Sequence, residues 1–266
     1  MKNSNNTLGI IIWGLLLPFI SISQNGNSLP AKVSHIEPLY IDLARDLGAR
    51  KGEKEINIGA DFSSVKNQKK YLLLAEYEWA PINRLGLEIE ADLSLFNSNR
   101  TATSTFKNKI ESLKLSAQYT FLVLPELKLS MAGGYTQLFE LPDFQSMSKE
   151  NYLSELTYNP FIVAAKRWGN KFHSLIYISS LIKQNYSNPQ HIHYNWQISS
   201  SVHYSQGKYN IGLEVNSYLT EETLQFTIRP QMKIHLSNQL AVGFVLGIPT
   251  NNKEEFSSFI RFIYEL

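Results

Sequence analysis

The sequence predicts an all-β protein: an antiparallel transmembrane β-barrel of about 12 strands, preceded by a short N-terminal helix. Three observations point there. From residue 53 onward, stretches of roughly ten residues alternate apolar and polar side chains. The turns between them alternate between short and long. Ahead of them all stands an apolar run with the layout of an export signal.

That run extends from Leu8 to Ile22, behind Lys2 and before the small, polar stretch Ser21-Ile22-Ser23-Gln24. Pro18 interrupts it and no basic cluster follows, so residues 1–23 read as a cleaved signal peptide, not a retained membrane helix. Residues 24–52 are then a periplasmic segment. Within it Ile36, Leu39, Leu43 and Leu47 recur at spacings of three and four, with Pro38 placed for a first turn and Gly48 for a stop. This predicts the short helix.

The barrel takes 53–266. Strands are expected near 53–62, 70–80, 84–95, 110–123, 127–139, 158–168, 171–182, 193–205, 208–219, 223–236, 239–248 and 256–266. The third sets Leu85, Leu87, Ile89, Ala91 and Leu93 against Gly86, Glu88, Glu90, Asp92 and Ser94. The ninth sets Tyr209, Ile211, Leu213 and Val215 against Asn210, Gly212, Glu214 and Asn216, and the tenth repeats the pattern. The sixth and seventh are less clean, because Ile176-Tyr177-Ile178 is apolar on both faces. Short turns after even-numbered strands put both barrel ends in the periplasm. Aromatics such as Trp79, Trp168, Tyr209 and Tyr264 at one end, and Tyr71, Trp196 and Phe226 at the other, suit two interfacial girdles. A soluble β-sandwich shares the period, but its strands are usually shorter and less uniformly apolar on one face.

Composition narrows the function classes. A net charge of +2 gives no reason to expect nucleic acid as a partner. A mean hydropathy of −0.20 is too polar for a helical membrane protein. With no Cys, thiol catalysis and Cys-ligated metals are excluded. No phosphate loop, nucleophile elbow or zinc-helix motif appears, so no cofactor or metal is expected. Expected partners are outer-membrane lipid, the barrel-assembly machinery and, for a complex subunit, an envelope protein.

The polar faces supply the candidate site. Glu76, Glu78, Glu88, Glu90 and Asp92 would form an acidic lumen wall; Lys114, Lys128, Arg229, Lys233 and Arg261 would form a basic one. Desolvated lone charges are costly, so a narrow lumen must pair them. The N-terminal segment offers Arg45, Arg50 and Lys51 to the first wall, and Asp42 and Asp46 to the second. It is a candidate plug, with an inert lead-in at the periplasmic mouth as the alternative.

Residues 35–59 carry the pattern His35-x-Glu37-Pro38-Leu39-Tyr40-x-Asp42-Leu43-x-x-Asp46-Leu47-Gly48-Ala49-Arg50-Lys51-Gly52-Glu53-x-Glu55-x-Asn57-x-Gly59. This resembles the N-terminal signature of a family of Bacteroidetes outer-membrane β-barrels, and the resemblance implies the same location and fold. A purine-biosynthesis amidotransferase assignment, which sequences of this kind can carry, does not fit a chain with an export signal and no Cys nucleophile.

The leading expectation is a non-enzymatic barrel: a narrow pore or transporter for small solutes, or a barrel subunit of an envelope complex. The alternative is an outer-membrane esterase of phospholipase type. His203 and Ser205 share a strand face, with Asn210 or Asn216 on the next strand, and an imidazole held by an amide could activate a hydroxyl. The surrounding motif of that enzyme family is missing. His191 and His193 could meet a divalent ion, but nothing nearby completes a ligand set.

Overall fold

The computed structural model describes residues 29–41, 43–65, 68–97, 106–220, 223–251 and 256–266. The signal peptide expected over 1–23 and Asp42 lie outside the described residues. The strands are β1 (Lys54–Val65), β2 (Gln68–Ile82), β3 (Leu85–Asn97), β4 (Lys109–Leu124), β5 (Leu129–Glu140) and β6 (Glu155–Trp168). The second half runs β7 (Phe172–Asn185), β8 (Ile192–Gln206), β9 (Tyr209–Leu219), β10 (Leu224–His235), β11 (Leu240–Pro249) and β12 (Ser257–Glu265). Each strand pairs antiparallel with its sequence neighbours, and β1 pairs with β12 to close the barrel. Closure leaves no free sheet edge.

The alternation resolves into an inverted distribution of polarity. Ile58, Ile162 and Ile211 face outward and are more than half exposed, whereas Glu90, Ser130, Ser199 and Glu214 face inward and are fully enclosed. A soluble barrel would show the reverse. Trp168, Tyr209 and Tyr264 are exposed at the short-turn end, where Lys166 and Lys208 lie over the rings of Trp168 and Tyr209 at 4.9 and 5.4 Å. Pro230 has no N–H to give, and it falls where the β10–β11 ladder is interrupted between Ile228 and Gln231.

At the long-loop end several strands outrun their apolar stretch. β6 starts at Glu155 and β7 runs to Asn185, beyond the spans expected from periodicity. Apart from Leu156 the extra residues are polar, so alternation fades while the ladder continues. Rim ion pairs hold them, such as Lys183 with Glu155 at 2.9 Å.

The expected helix is absent: the described residues between 29 and 53 carry turns and bends only. The segment instead enters the barrel from the short-turn end and runs inward to Leu39 and Tyr40. It returns to the mouth through a turn in which Ala49 N–H donates to Asp46 C=O. A helix buries one stripe against one partner. Here Ile41, Leu43 and Leu47 pack with Phe161, Val163, Leu175 and Tyr177, while Leu39 packs across the barrel with Ala241, Val245, Ile263 and Phe259. Only an irregular chain serves both walls. Its backbone groups are satisfied by wall side chains: Leu39 N–H donates to Gln231 Oε1 at 2.7 Å, Gly48 N–H to Thr120 Oγ1 at 2.8 Å, and Arg45 C=O accepts from Gln118 Nε2 at 2.5 Å. Val33, Ile36, Leu39, Ile41, Leu43 and Leu47 are all buried, at about 1.5–3 kcal/mol each.

Candidate functional site

The inward phase of β12, β1, β2 and β3 sets Glu265, Glu55, Glu78 and Glu88 opposite one another in register, one row across four adjacent strands. The row above it reads Asn57, Glu76, Glu90 and Lys114. Like charges directly opposite each other on paired strands are destabilising, and each row contains its remedy. Arg45, almost fully enclosed, reaches Glu55 at 2.9 Å, Glu265 at 2.8 Å and Glu78 at 3.4 Å. Arg261 meets Glu76 at 2.6 Å; Lys114 pairs with Glu90 and lies 3.7 Å from Asp92. Asn57 Nδ2 stands 2.7–2.8 Å from Glu55, Glu76 and Glu78. Ser112 and Ser116 donate to Asp92 and Glu88.

All five wall carboxylates named from the sequence are thus inward and buried. The cations do not assemble into one opposing wall. Lys114 and Arg261 flank the acidic arc itself. Lys233 lines the inner mouth. The Arg229 guanidinium lies 3.3 Å from the Tyr40 ring centroid, a cation–π contact at the segment's tip, and its Nε donates to Asn216 Oδ1. Lys128 stands in the β4–β5 turn, where its ammonium donates to Gly169 C=O at 2.7 Å. The turn ends two residues later than periodicity suggests, so Lys128 precedes β5 and is off the lumen wall. In the segment Asp46 pairs with Lys32 at 3.1 Å, not with a wall cation. Arg50 and Lys51 stay at the mouth, and the Lys51 N–H donates to Asn83 Oδ1.

Opposite the acidic arc lies an imidazole arc. Arg167 on β6, His173 on β7 and His203 on β8 are register neighbours, and both histidines are buried. The segment contacts them through its backbone and one ring. Ile36 N–H donates to His173 Nδ1 at 3.0 Å. The His35 ring meets that of His173 edge-on at 6.4 Å, with its Nε2 2.9 Å from Ser130 Oγ. Burial, with His173 and Arg167 nearby, lowers the His35 imidazole to about 4, so it is neutral when seated. Burial and the neighbouring Asp46 carboxylate push Glu37 well above the ordinary carboxyl range. Burial would raise Asp46 as well, but Glu37, Lys32 and Arg45 hold it well below.

Two close fits seat the segment. Gly243 underlies the Leu39 side chain and Gly86 underlies the Arg45 backbone; a Cβ at either place would collide with them. On either side of the segment the lumen opens into a cavity. The outer one, about 690 Å³, has Tyr40 on its floor and Asp61, Lys70, Asp92 and Lys114 on its walls. The inner one, about 380 Å³, is bounded by Ser34–Glu37, Arg167, His173, Lys233 and Glu265.

Among the described residues no hydrogen bond joins His203 to Ser205, Asn210 or Asn216, so the esterase constellation forms no relay. Ser205 pairs in register with Asn210, whose amide lies 3.1 Å from His235; Asn216 is engaged by Ser199, Glu214 and Arg229. The Ser130–His35 pair has a hydroxyl within reach of an imidazole. Ser130 is fully enclosed, however, and His35 Nδ1 has no hydrogen-bond partner among the described residues. His191 and His193 meet edge-to-face at 4.5 Å. Among the described residues, the one cluster of three groups spaced to share a metal ion is Glu76, Glu88 and Glu90, of which Glu76 pairs with Arg261 and Glu90 with Lys114, while Glu88 accepts from Ser116.

Several site residues are not among those the sequence pattern singles out as lining: Glu55, Asn57 and Glu265 in the acidic arc, His173 in the other, and Gly86 and Gly243 under the segment. The signal for the first three was present, since β1 and β12 carry the same inward phase that singled out β2 and β3.

The fold is similar to that of solved outer-membrane barrels. The COG4313 outer membrane channel from Pseudomonas putida F1 superposes with a TM-score of 0.61 at 12% identity, covering 87% of this chain and 100% of that one. The KdgM porin gives 0.56 at 12% identity over 80% and 99%, and the NanC porin 0.55 at 12% over 79% and 100%. At that identity the likeness is one of fold. The chain belongs to the HAEPLYID-like family, whose model matches residues 31–265. Read as residue codes, the letters of that name differ from residues 35–42 only at Ile36. No curated protein sequence matches the chain.

Proposed function

We propose that this protein sits in a bacterial outer membrane and serves as a channel for small polar solutes, closed at rest by its own N-terminal segment acting as a plug. The outward apolar face supports the membrane placement, as an acyl environment would be its only favourable surrounding. The observation that carries the function is the seated segment. It stands between the two lumen cavities and rests on glycine cradles, with Arg45 ion-paired to three wall carboxylates. An inert lead-in would have no need of side-chain-specific sockets at mid-barrel depth. The charged lining favours hydrophilic solutes over apolar ones.

The chain has no Cys, so a tether can be introduced cleanly. Leu39 Cγ lies 3.1 Å from the position a Cβ on residue 243 would take, within reach of a disulfide. In planar bilayers, the Leu39→Cys, Gly243→Cys chain is expected to be silent when oxidised and to conduct intermittently when reduced. Equal conductance in the two states sinks the plug reading.

A further inference from the structure

The contact between Ile36 and His173 has a chemical polarity. Ile36 N–H donates to His173 Nδ1, so that nitrogen carries a lone pair and the ring is neutral. Adding a proton to Nδ1 sets one N–H against another and converts the bond into a repulsion. The surroundings do not favour the charged ring. Its register neighbours are Arg167 on β6 and His203 on β8, and the His35 ring abuts it from the segment. Lys233 on β10 and His235 at its end border the same inner cavity. The carboxylates on that cavity are Glu37 and Asp46 on the segment, Glu55 on β1 and Glu265 on β12. Asp46 is taken by Lys32, and Glu55 and Glu265 are taken by Arg45. On β5 the neighbour is the neutral Ser130.

We propose that His173, with the His35 ring edge-on against it, is a proton-operated latch. At neutral pH the Nδ1 lone pair holds the Ile36 amide and keeps the plug seated. In acid, the protonated rings beside Arg167 and Lys233 repel one another, drop the amide and let the plug leave. This rests on the plug reading. The geometry separates the latch from general acid unfolding, because a single acceptor atom is at stake, and an Asn side chain can place a carbonyl oxygen close to where His Nδ1 stands without being able to titrate.

Open-state occupancy of the unaltered chain in planar bilayers is expected to rise several-fold as pH falls from about 7 to about 5, because a released imidazole takes up a proton near its ordinary value whereas the seated His35 ring does so only near 4. His173→Asn is expected to stay shut across that range, and the oxidised Leu39→Cys, Gly243→Cys chain to be insensitive to pH. A parallel readout avoids substitution: amide exchange at Ile36, corrected for its intrinsic pH dependence, should lose protection in acid before the strand amides do. An acid response in His173→Asn equal to that of the unaltered chain overturns the latch. So does unaltered conductance with Ile36 still protected. If the tethered chain conducts equally oxidised and reduced, it is the plug reading that fails.

Discussion

The two arcs that grip the plug use opposite chemistry. On β12, β1, β2 and β3 the contact is ionic: one guanidinium shared by Glu55, Glu78 and Glu265. On β6 to β8 it is a neutral hydrogen bond, one backbone amide held by an imidazole. On the ionic side the guanidinium itself stays charged, because the surrounding carboxylates, working against burial, raise Arg45 above the ordinary value. The imidazole side is the one that acidification can undo. Strength and responsiveness are therefore divided between opposite walls of the lumen, with one strand of backbone carrying force between them.

The largest expected effect comes from breaking the ionic side. Arg45→Ala leaves three aligned carboxylates facing a void, at a cost of about 3–5 kcal/mol if they stay charged. The segment should unseat at neutral pH, which trypsin cleavage near Arg50 and Lys51 would report. Continued resistance to trypsin would place the grip elsewhere. A smaller change sharpens the comparison at Glu37, whose carboxyl burial and the neighbouring Asp46 raise well above its unfolded value. Its contribution is therefore full in acid and lost as the pH climbs through the raised value. Glu37→Gln keeps a neutral side chain at every pH and should flatten the alkaline weakening of the seated segment, measured by the same cleavage across a pH series. The smallest effect belongs to the outer rim. Lys183→Met removes part-exposed pairs with Glu140 and Glu155 and should cost at most about 1 kcal/mol, with no change in gating.

The barrel was legible because its period is enforced at every residue: a strand between lipid and lumen cannot slip by one position without exposing charge to acyl chains. Glu76, Glu78, Glu88, Glu90 and Asp92 followed directly from that phase. The segment was not legible in the same way. Ile36, Leu39, Leu43 and Leu47 have helical spacing, yet Ile41 is as buried as any of them, and Leu39 and Ile41 serve opposite walls. Periodicity presumes a single partner surface, and a chain enclosed on all sides has several. His173 escaped notice because its role depends on which backbone amide lands on it, a fact of three-dimensional seating. Lys128 falls in a turn two residues longer than periodicity implies, enough to carry it off the wall.

Glu265 stands on β12, the strand that meets β1 at the seam, and it shares Arg45 with Glu55 on the other side of that seam. One guanidinium therefore rivets the first and last staves of the barrel from within. The socket for Arg45 comes into being only when the cylinder shuts, so a seated stopper reports a completed wall, and an unfinished one offers it nothing to hold.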